Sequence, residues 1–318
     1  MNVKRIVFLD VSRALCVMWI VCFWHMNQYL DADTKFFTSG SGEQVFLRSV
    51  TNGVLALFTL LSGFFISQKE ISCKEDIISF YKKRLVRFFI PLLISCILLT
   101  FVGYFSPIQI FTTCLGISQF LPLPYPKTLW YFSMIICFYL ISPIMLWFKG
   151  KGLAYCISSC LLFFLFFMLG NHFFDFDRRL ADNYPFFALP FVFQNSRSIL
   201  KVFDNKRHYA FLIFAIFIVA YINHTSDYLL QVAMSFAVCF IILSFSKDIA
   251  KLTFLQKLFI IVSYLSMFAY LYHREIYILS SKLIGKFDVL EVALNIVLLL
   301  FISYFGQKLY DKLLLKLL

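Results

Sequence analysis

Long apolar runs separated by short polar joints recur from one end of this chain to the other. They fall at 6–29, 50–67, 86–105, 128–148, 153–170, 209–223, 228–245, 258–280 and 287–306. Most approach the roughly 20 residues that a helix needs to cross about 30 Å of hydrocarbon. A further segment, 184–200, is ambiguous by pattern. Its apolar core from Tyr184 to Phe193 holds Pro185 and Pro190 and is short for a span, so it reads as a broken or re-entrant helix. None of the runs alternates apolar and polar residues with a period of two, which excludes the strands of a membrane barrel. The pattern predicts an all-α, polytopic transmembrane helical bundle of about ten spans.

Composition supports the pattern. Of 318 residues, 61% are hydrophobic and only 14% charged, where soluble domains carry about 45–50% and about 25%. A water-soluble fold of this size has no room to hide 42 phenylalanines, and the lipid bilayer is the solvent that tolerates them. No long polar stretch interrupts the runs, so a single integral-membrane domain is expected over 1–318. The first run is followed by further spans and by no small-residue cleavage site, which marks it as a retained helix.

The net charge of +12 adds orientation. Basic residues sit in short clusters between the runs, as topology signals do, and not in the pattern of a nucleic-acid surface. With ten spans, one set of joints collects 21 of the 29 Lys and Arg, among them Lys82, Lys83, Arg84, Arg87, Lys149, Lys151 and Lys201. That skew places both termini in the cytoplasm. Omitting 184–200 would reverse every later joint and erase the skew. The longest outer joint, 106–127, carries Pro107, Pro122, Pro124 and Pro126 and is suited to fold over the mouth of a cavity. The nine cysteines form no CxxC pair and lie mostly inside apolar runs, as small buried hydrophobes. Cys156 and Cys160 are one turn apart but lack His or carboxylate neighbours, so no metal site is expected. His172, His208 and His224 sit in polar joints and read as solvated, and Asn223-His-Thr225 matches a common sequon.

The candidate chemistry lies where ionisable groups enter the apolar runs. The first run carries Asp10, Ser12 and Arg13 near one end and His25, Asn27 and Gln28 near the other. Such groups cost about 2.5–3.5 kcal/mol at a bilayer centre on insertion scales and are kept for a reason. By position alone, His25 is either an interfacial residue beside Trp24 and Tyr29 or a general base, a role that neutral imidazole suits near pH 7. Arg84 and Arg87 stand three apart on one helix face. They either anchor the cytoplasmic end or grip phosphate, which guanidinium does with paired hydrogen bonds. His273, Arg274 and Glu275 form a second polar knot, read either as an ion pair at a helix end or as part of a site.

Five segments, taken in order, carry a family resemblance. They are Asp10-Val-Ser-Arg13 followed by His25; Asn52 to Ile66 with its Ser62-Gly63-Phe ending; Lys82-Lys-Arg84-Leu-Val-Arg87-Phe-Phe-Ile-Pro91; Leu129-Trp130-Tyr-Phe with Tyr139-Leu-Ile-Ser-Pro143; and Ser263 to His273. Together they resemble the membrane acyltransferase-3 family, bacterial integral-membrane enzymes that acetylate or otherwise acylate carbohydrates. Residues 150–260 match only in hydropathy. The resemblance implies an acetyl-coenzyme A-dependent O-acyltransferase of the bacterial cytoplasmic membrane, with no metal. It implies a surface polysaccharide or lipid-linked glycan as acceptor and His25 as the base or as a transient acyl carrier. It also implies Arg84 and Arg87 as the coenzyme A phosphate grips, Arg13 and His273 as supporting residues, and a cavity role for Trp130. A transporter or flippase for a glycan or acyl precursor is the alternative of a different class.

One departure from the family pattern has a geometric consequence. The family usually places ten residues between the Arg and the His of the first helix, whereas here there are eleven, Ala14 to Trp24. At about 100° per residue, the usual interval returns to within about 20° of the same face, and this one lands about 120° away. Either a π-bulge absorbs the extra residue, or Arg13 and His25 do not share a face.

Overall fold

The structure is a computed structural model that describes residues 6–38, 42–121, 129–193, 215 and 228–317. Among these residues the fold is helical. The helices are α1 (Val7–Met18), α2 (Gly42–Ser67), α3 (Lys74–Phe101), α4 (Pro107–Cys114), α5 (Trp130–Lys151), α6 (Leu153–Phe174), α7 (Arg178–Val192), α8 (Tyr228–Ile249), α9 (Thr253–Ile284) and α10 (Val289–Leu317). Among the described residues, eight segments are long and apolar enough to cross a bilayer: Val7–Gln28, Phe46–Ser67, Lys74–Phe101, Trp130–Lys151, Leu153–Phe174, Gln231–Ile249, Thr253–Ile284 and Val289–Leu313. The expected helical membrane bundle is therefore what the chain forms. The run at 209–223 lies, apart from residue 215, outside the described residues, as do His208, His224 and the sequon at 223–225.

The ambiguous segment has different bounds from those expected. Its helix, α7, begins at Arg178 and ends at Val192, and 194–200 lies outside the described residues. Fifteen residues rise about 22 Å, short of a bilayer core. The helix survives Pro185 and Pro190 because most of it is enclosed by protein: Leu180, Ala181, Tyr184, Phe186, Phe187 and Phe191 are all buried. Its start is capped by Asp177, whose carboxylate accepts the Arg179 N–H at 2.9 Å.

The chain divides into two compact units, one drawn from 1–58 and 200–311, the other from 59–199 and 312–318. In the first, α1 packs along α9 and α8. Asp10 ties α1 to α9 by accepting the Ser263 hydroxyl at 3.1 Å. Gly53 lets α2 approach α8, since a Cβ there would stand 2.7 Å from the Val238 Cβ. The exposed side of α10, with Leu290, Val297, Phe301 and Leu309, is apolar and suited to lipid.

In the second unit α5 is central, packed by α3, α4, α6 and α7. Within the joint at 106–127, α4 and a turn of 3-10 helix at Ser118–Phe120 both pack against α5. Pro107 starts α4, and Gln109 Oε1 accepts the Ser106 N–H at 2.9 Å. Arg179 is clamped by Asp177 and lies 4.2 Å over the Trp130 ring, which gives that tryptophan a packing role. Gly63 meets the backbone carbonyl of Phe187 on α7 so closely that any Cβ would clash with it. The approach of α2 to α7 at Gly63 is thus tight helix packing of the small-residue kind. Gly63→Ala is expected to destabilise the protein by about 1–3 kcal/mol through this overpacking, read as a lower melting temperature in detergent, while Gly150→Ala, with open space around it, leaves the melt unchanged.

Candidate active site

The first span does not wind as one α-helix. After Met18 the chain passes into a π-helix at Trp19–His25 and then a turn of 3-10 helix at Met26–Gln28. The π segment holds two β-branched and three aromatic residues among seven, all weaker α-formers than leucine or alanine. A π turn closes with one more residue than an α turn. It therefore takes up about one residue, or about 100° of rotation, the offset that the eleven-residue interval after Arg13 requires.

Tertiary contacts hold this winding in place. Trp19 Nε1 donates to Thr51 Oγ1 at 3.0 Å. The Asn27 carboxamide accepts the N–H groups of Phe36 and Phe37 and donates to the Phe37 carbonyl, which folds the following loop back onto the helix. Phe36 then stacks on Phe23 and Phe37 on Trp24. The chain just beyond is stitched to the α9–α10 joint: Asp31 N–H donates to the Phe287 carbonyl and Phe287 N–H to the Tyr29 carbonyl.

The result is a contact between two histidines 248 residues apart. His25 Nδ1 lies 2.7 Å from His273 Nε2, and the ring planes are 3° from parallel with centroids 4.8 Å apart. That nitrogen separation is below the ~3.5 Å at which stacked atoms touch, so the rings meet edge to edge through a hydrogen bond. His273 is fully buried, and its Nδ1 lies 2.7 Å from the Tyr270 carbonyl. A carbonyl only accepts, so His273 Nδ1 carries the proton. In the neutral ring Nε2 is then the acceptor, and His25 Nδ1 must donate to it. The basic lone pair of the pair is thereby placed on His25 Nε2, on the histidine that keeps partial exposure. Two adjacent imidazolium ions would repel in this buried setting, so the arrangement holds at most one added proton. A lone pair held in this way is able to accept a proton from a neighbouring donor.

Tyr270 and Tyr277 wall the His273 ring from positions three before and four after it on α9, with centroids at 5.8 and 5.7 Å. Arg274, also buried, donates to Gln28 Oε1 at 2.7 Å and to the Tyr29 hydroxyl at 3.1 Å. His273, Arg274 and Glu275 lie inside the 32-residue α9 and are all buried, which removes the reading of an ion pair at a helix end. Arg13 is half-buried on α1, three residues after Asp10. Its Cα is twelve residues from that of His25, at most roughly 18 Å at the α-helical rise, which the π segment shortens. The fold therefore joins the two histidines and leaves Arg13 further along the same span.

Arg84 and Arg87 belong to the other unit, on α3. Arg84 is half-buried with its guanidinium 5.8 Å over the Tyr139 ring of α5, and Arg87 is exposed. One turn earlier, the Tyr81 hydroxyl donates to the Leu140 carbonyl at 2.7 Å. Pro143 weakens the α5 ladder there, since it has no N–H to offer the carbonyl of residue 139. The basic motif of α3 and the Tyr139–Pro143 motif of α5 thus form one contact. His172 is exposed, as the sequence suggests.

A family model described as an acyltransferase domain, that of the acyltransferase-3 family, matches residues 6–306, which takes in both histidines and nearly the whole chain. The chain belongs to this family. No curated protein and no solved structure matches it. Family membership and the eight apolar spans together make the protein a multi-pass membrane acyltransferase.

Sequence reasoning missed Tyr277 as a partner of His273, although its spacing from it along one helix face was visible. In the acyltransferase, His273→Phe keeps a buried ring and removes the acceptor nitrogen. Acyl transfer should fall by about 10²-fold or more, measured as initial rate beside a thermal melt that shows the variant folded.

Proposed function

We propose that this acyltransferase moves an acetyl group from cytoplasmic acetyl-coenzyme A to a hydroxyl of a surface polysaccharide or lipid-linked glycan, with His25 as general base. The observation that carries the reading is the proton order along the Tyr270 carbonyl, His273 and His25, which leaves His25 Nε2 basic at the end of the first span away from Arg13. His25 Nε2 takes the proton of the acceptor hydroxyl as its oxygen attacks the thioester carbonyl. The C–O bond forms, the C–S bond breaks, and the leaving thiolate receives the proton back from His25. His273 accepts the His25 Nδ1–H throughout and stabilises the transient imidazolium.

Arg84 and Arg87 would hold the coenzyme A phosphates, a task for which planar guanidinium is better suited than lysine. Arg13 would support the donor along the span. The stretch between Arg13 and His25, at most ~18 Å at the α-helical rise, is comparable in length with a pantetheine arm, so a donor entering from the cytoplasm would present its thioester near the outer leaflet. The distribution of Lys and Arg supports both termini in the cytoplasm, and the resemblance supports the cytoplasmic membrane of a bacterium.

Radiolabelled acetyl-coenzyme A, supplied to purified protein with the glycan fraction of producing membranes, tests the reading. His25→Ala should lower label transfer by about 10²–10⁴-fold, and equal rates would overturn the assignment. The Arg84→Ala, Arg87→Ala pair should raise the KM for acetyl-coenzyme A by about tenfold or more, with kcat retained at saturation. A fall in kcat with unchanged KM would remove the phosphate role.

A further inference from the structure

The histidine pair depends on a stretch of backbone wound in an uncommon way. π-helix is rare and appears mostly as single-turn bulges within α-helices, and Trp19–His25 is such a segment. Contacts from outside the segment must favour that winding over an α-helix. Tyr277 is the side chain placed to provide one from α9. It is fully buried, and its hydroxyl donates to the Val21 carbonyl, inside the π segment, at 3.3 Å. Its ring meets the His273 ring at 5.7 Å and that of Tyr29 at 5.6 Å between centroids. One residue therefore touches the backbone that sets the direction of His25 and the imidazole that His25 must reach.

Resting on the acyl-transfer reading of the pair, we propose that Tyr277 is a positioning residue. By holding the Val21 carbonyl it keeps the segment in the π register that brings His25 Nδ1 to His273 Nε2. In an α-wound segment the same interval would turn His25 by about 100°, and the hydrogen bond between the rings would be lost. The chemistry is carried by the histidines, and Tyr277 acts through them.

Tyr277→Phe keeps the ring and removes only the hydroxyl. The kcat for acetyl transfer from acetyl-coenzyme A is expected to fall by about 10- to 100-fold with an unchanged KM for the donor, the signature of a displaced catalytic group. In nanodisc-embedded protein labelled with ¹⁵N-histidine, His25 should be an Nδ1–H tautomer in the wild type and lose that state in Tyr277→Phe. Deletion of Cys22, which is half-buried and lies within the segment, removes the extra residue and lets the helix wind as α with His25 still directed at His273. In that background Tyr277→Phe should change kcat by less than about twofold, because coupling between the two changes is what the proposal requires. An unchanged kcat and tautomer in Tyr277→Phe, or an equal loss in both backgrounds, would overturn it. Should the deletion variant fail to fold, the tautomer of His25 in Tyr277→Phe decides the matter: loss of the Nδ1–H state supports the positioning role, and its retention defeats it. A wild-type protein that transfers no acetyl defeats the acetyl-transfer reading instead, and the tautomer signal still tests what Tyr277 does.

Discussion

The hydrogen bond between His25 and His273 is the constraint around which the first unit is arranged. A backbone carbonyl can only accept, and the one at Tyr270 takes the Nδ1 proton of His273. From that point the direction of every proton in the pair is settled, and the basic nitrogen falls on the more accessible ring. An isolated imidazole in an apolar span would interconvert between two tautomers, and only one of them would suit proton abstraction at a given edge. Burial of His273 and its attachment to the α9 backbone remove that ambiguity without a charged partner, whose desolvation inside a membrane is costly.

This arrangement is reached at the expense of helix regularity. The π segment gives up α geometry for seven residues, and the surrounding fold compensates with contacts that a straight helix would not need. Trp19 is held by Thr51, the loop after Asn27 is folded back by a carboxamide with three backbone partners, and the α9–α10 joint grips the chain at Tyr29 and Asp31. Irregular backbone at membrane depth is tolerated where protein encloses it. The second unit follows the same rule: α7 keeps two prolines inside a short helix because nearly every side of it is covered.

In that second unit the basic motif of α3 divides between exposed lysines and an arginine packed on α5. Lys82 and Lys83 are exposed, as anchoring residues should be, while Arg84 turns onto the face of Tyr139 and Tyr81 reaches the α5 backbone. Guanidinium stacks on a ring while keeping donors at its edge, which ammonium does not. The placement therefore leaves Arg84 oriented by α5.

The sequence alone determined the solvent of this protein and most of its spans, because an apolar run long enough to cross a bilayer needs no tertiary information to be recognised. The ionisable residues inside those runs stood out for the same reason: each carries a cost that a spectator residue would not. The extra residue between Arg13 and His25, counted against the usual family interval, left two outcomes open: a π-bulge, or two residues on different faces. Only the tertiary structure decided between them, in favour of a seven-residue π-helix, since local propensity makes α winding weaker without choosing its replacement. It alone brought His25 to His273 across 248 residues and gave Tyr277 the Val21 carbonyl. The helix-face spacing of Tyr270, His273 and Tyr277 was present in the chain. Which neighbour that face meets is set by how α1 and α9 pack, and hydrophobic periodicity in lipid carries no record of that choice, because every face of a span can be apolar.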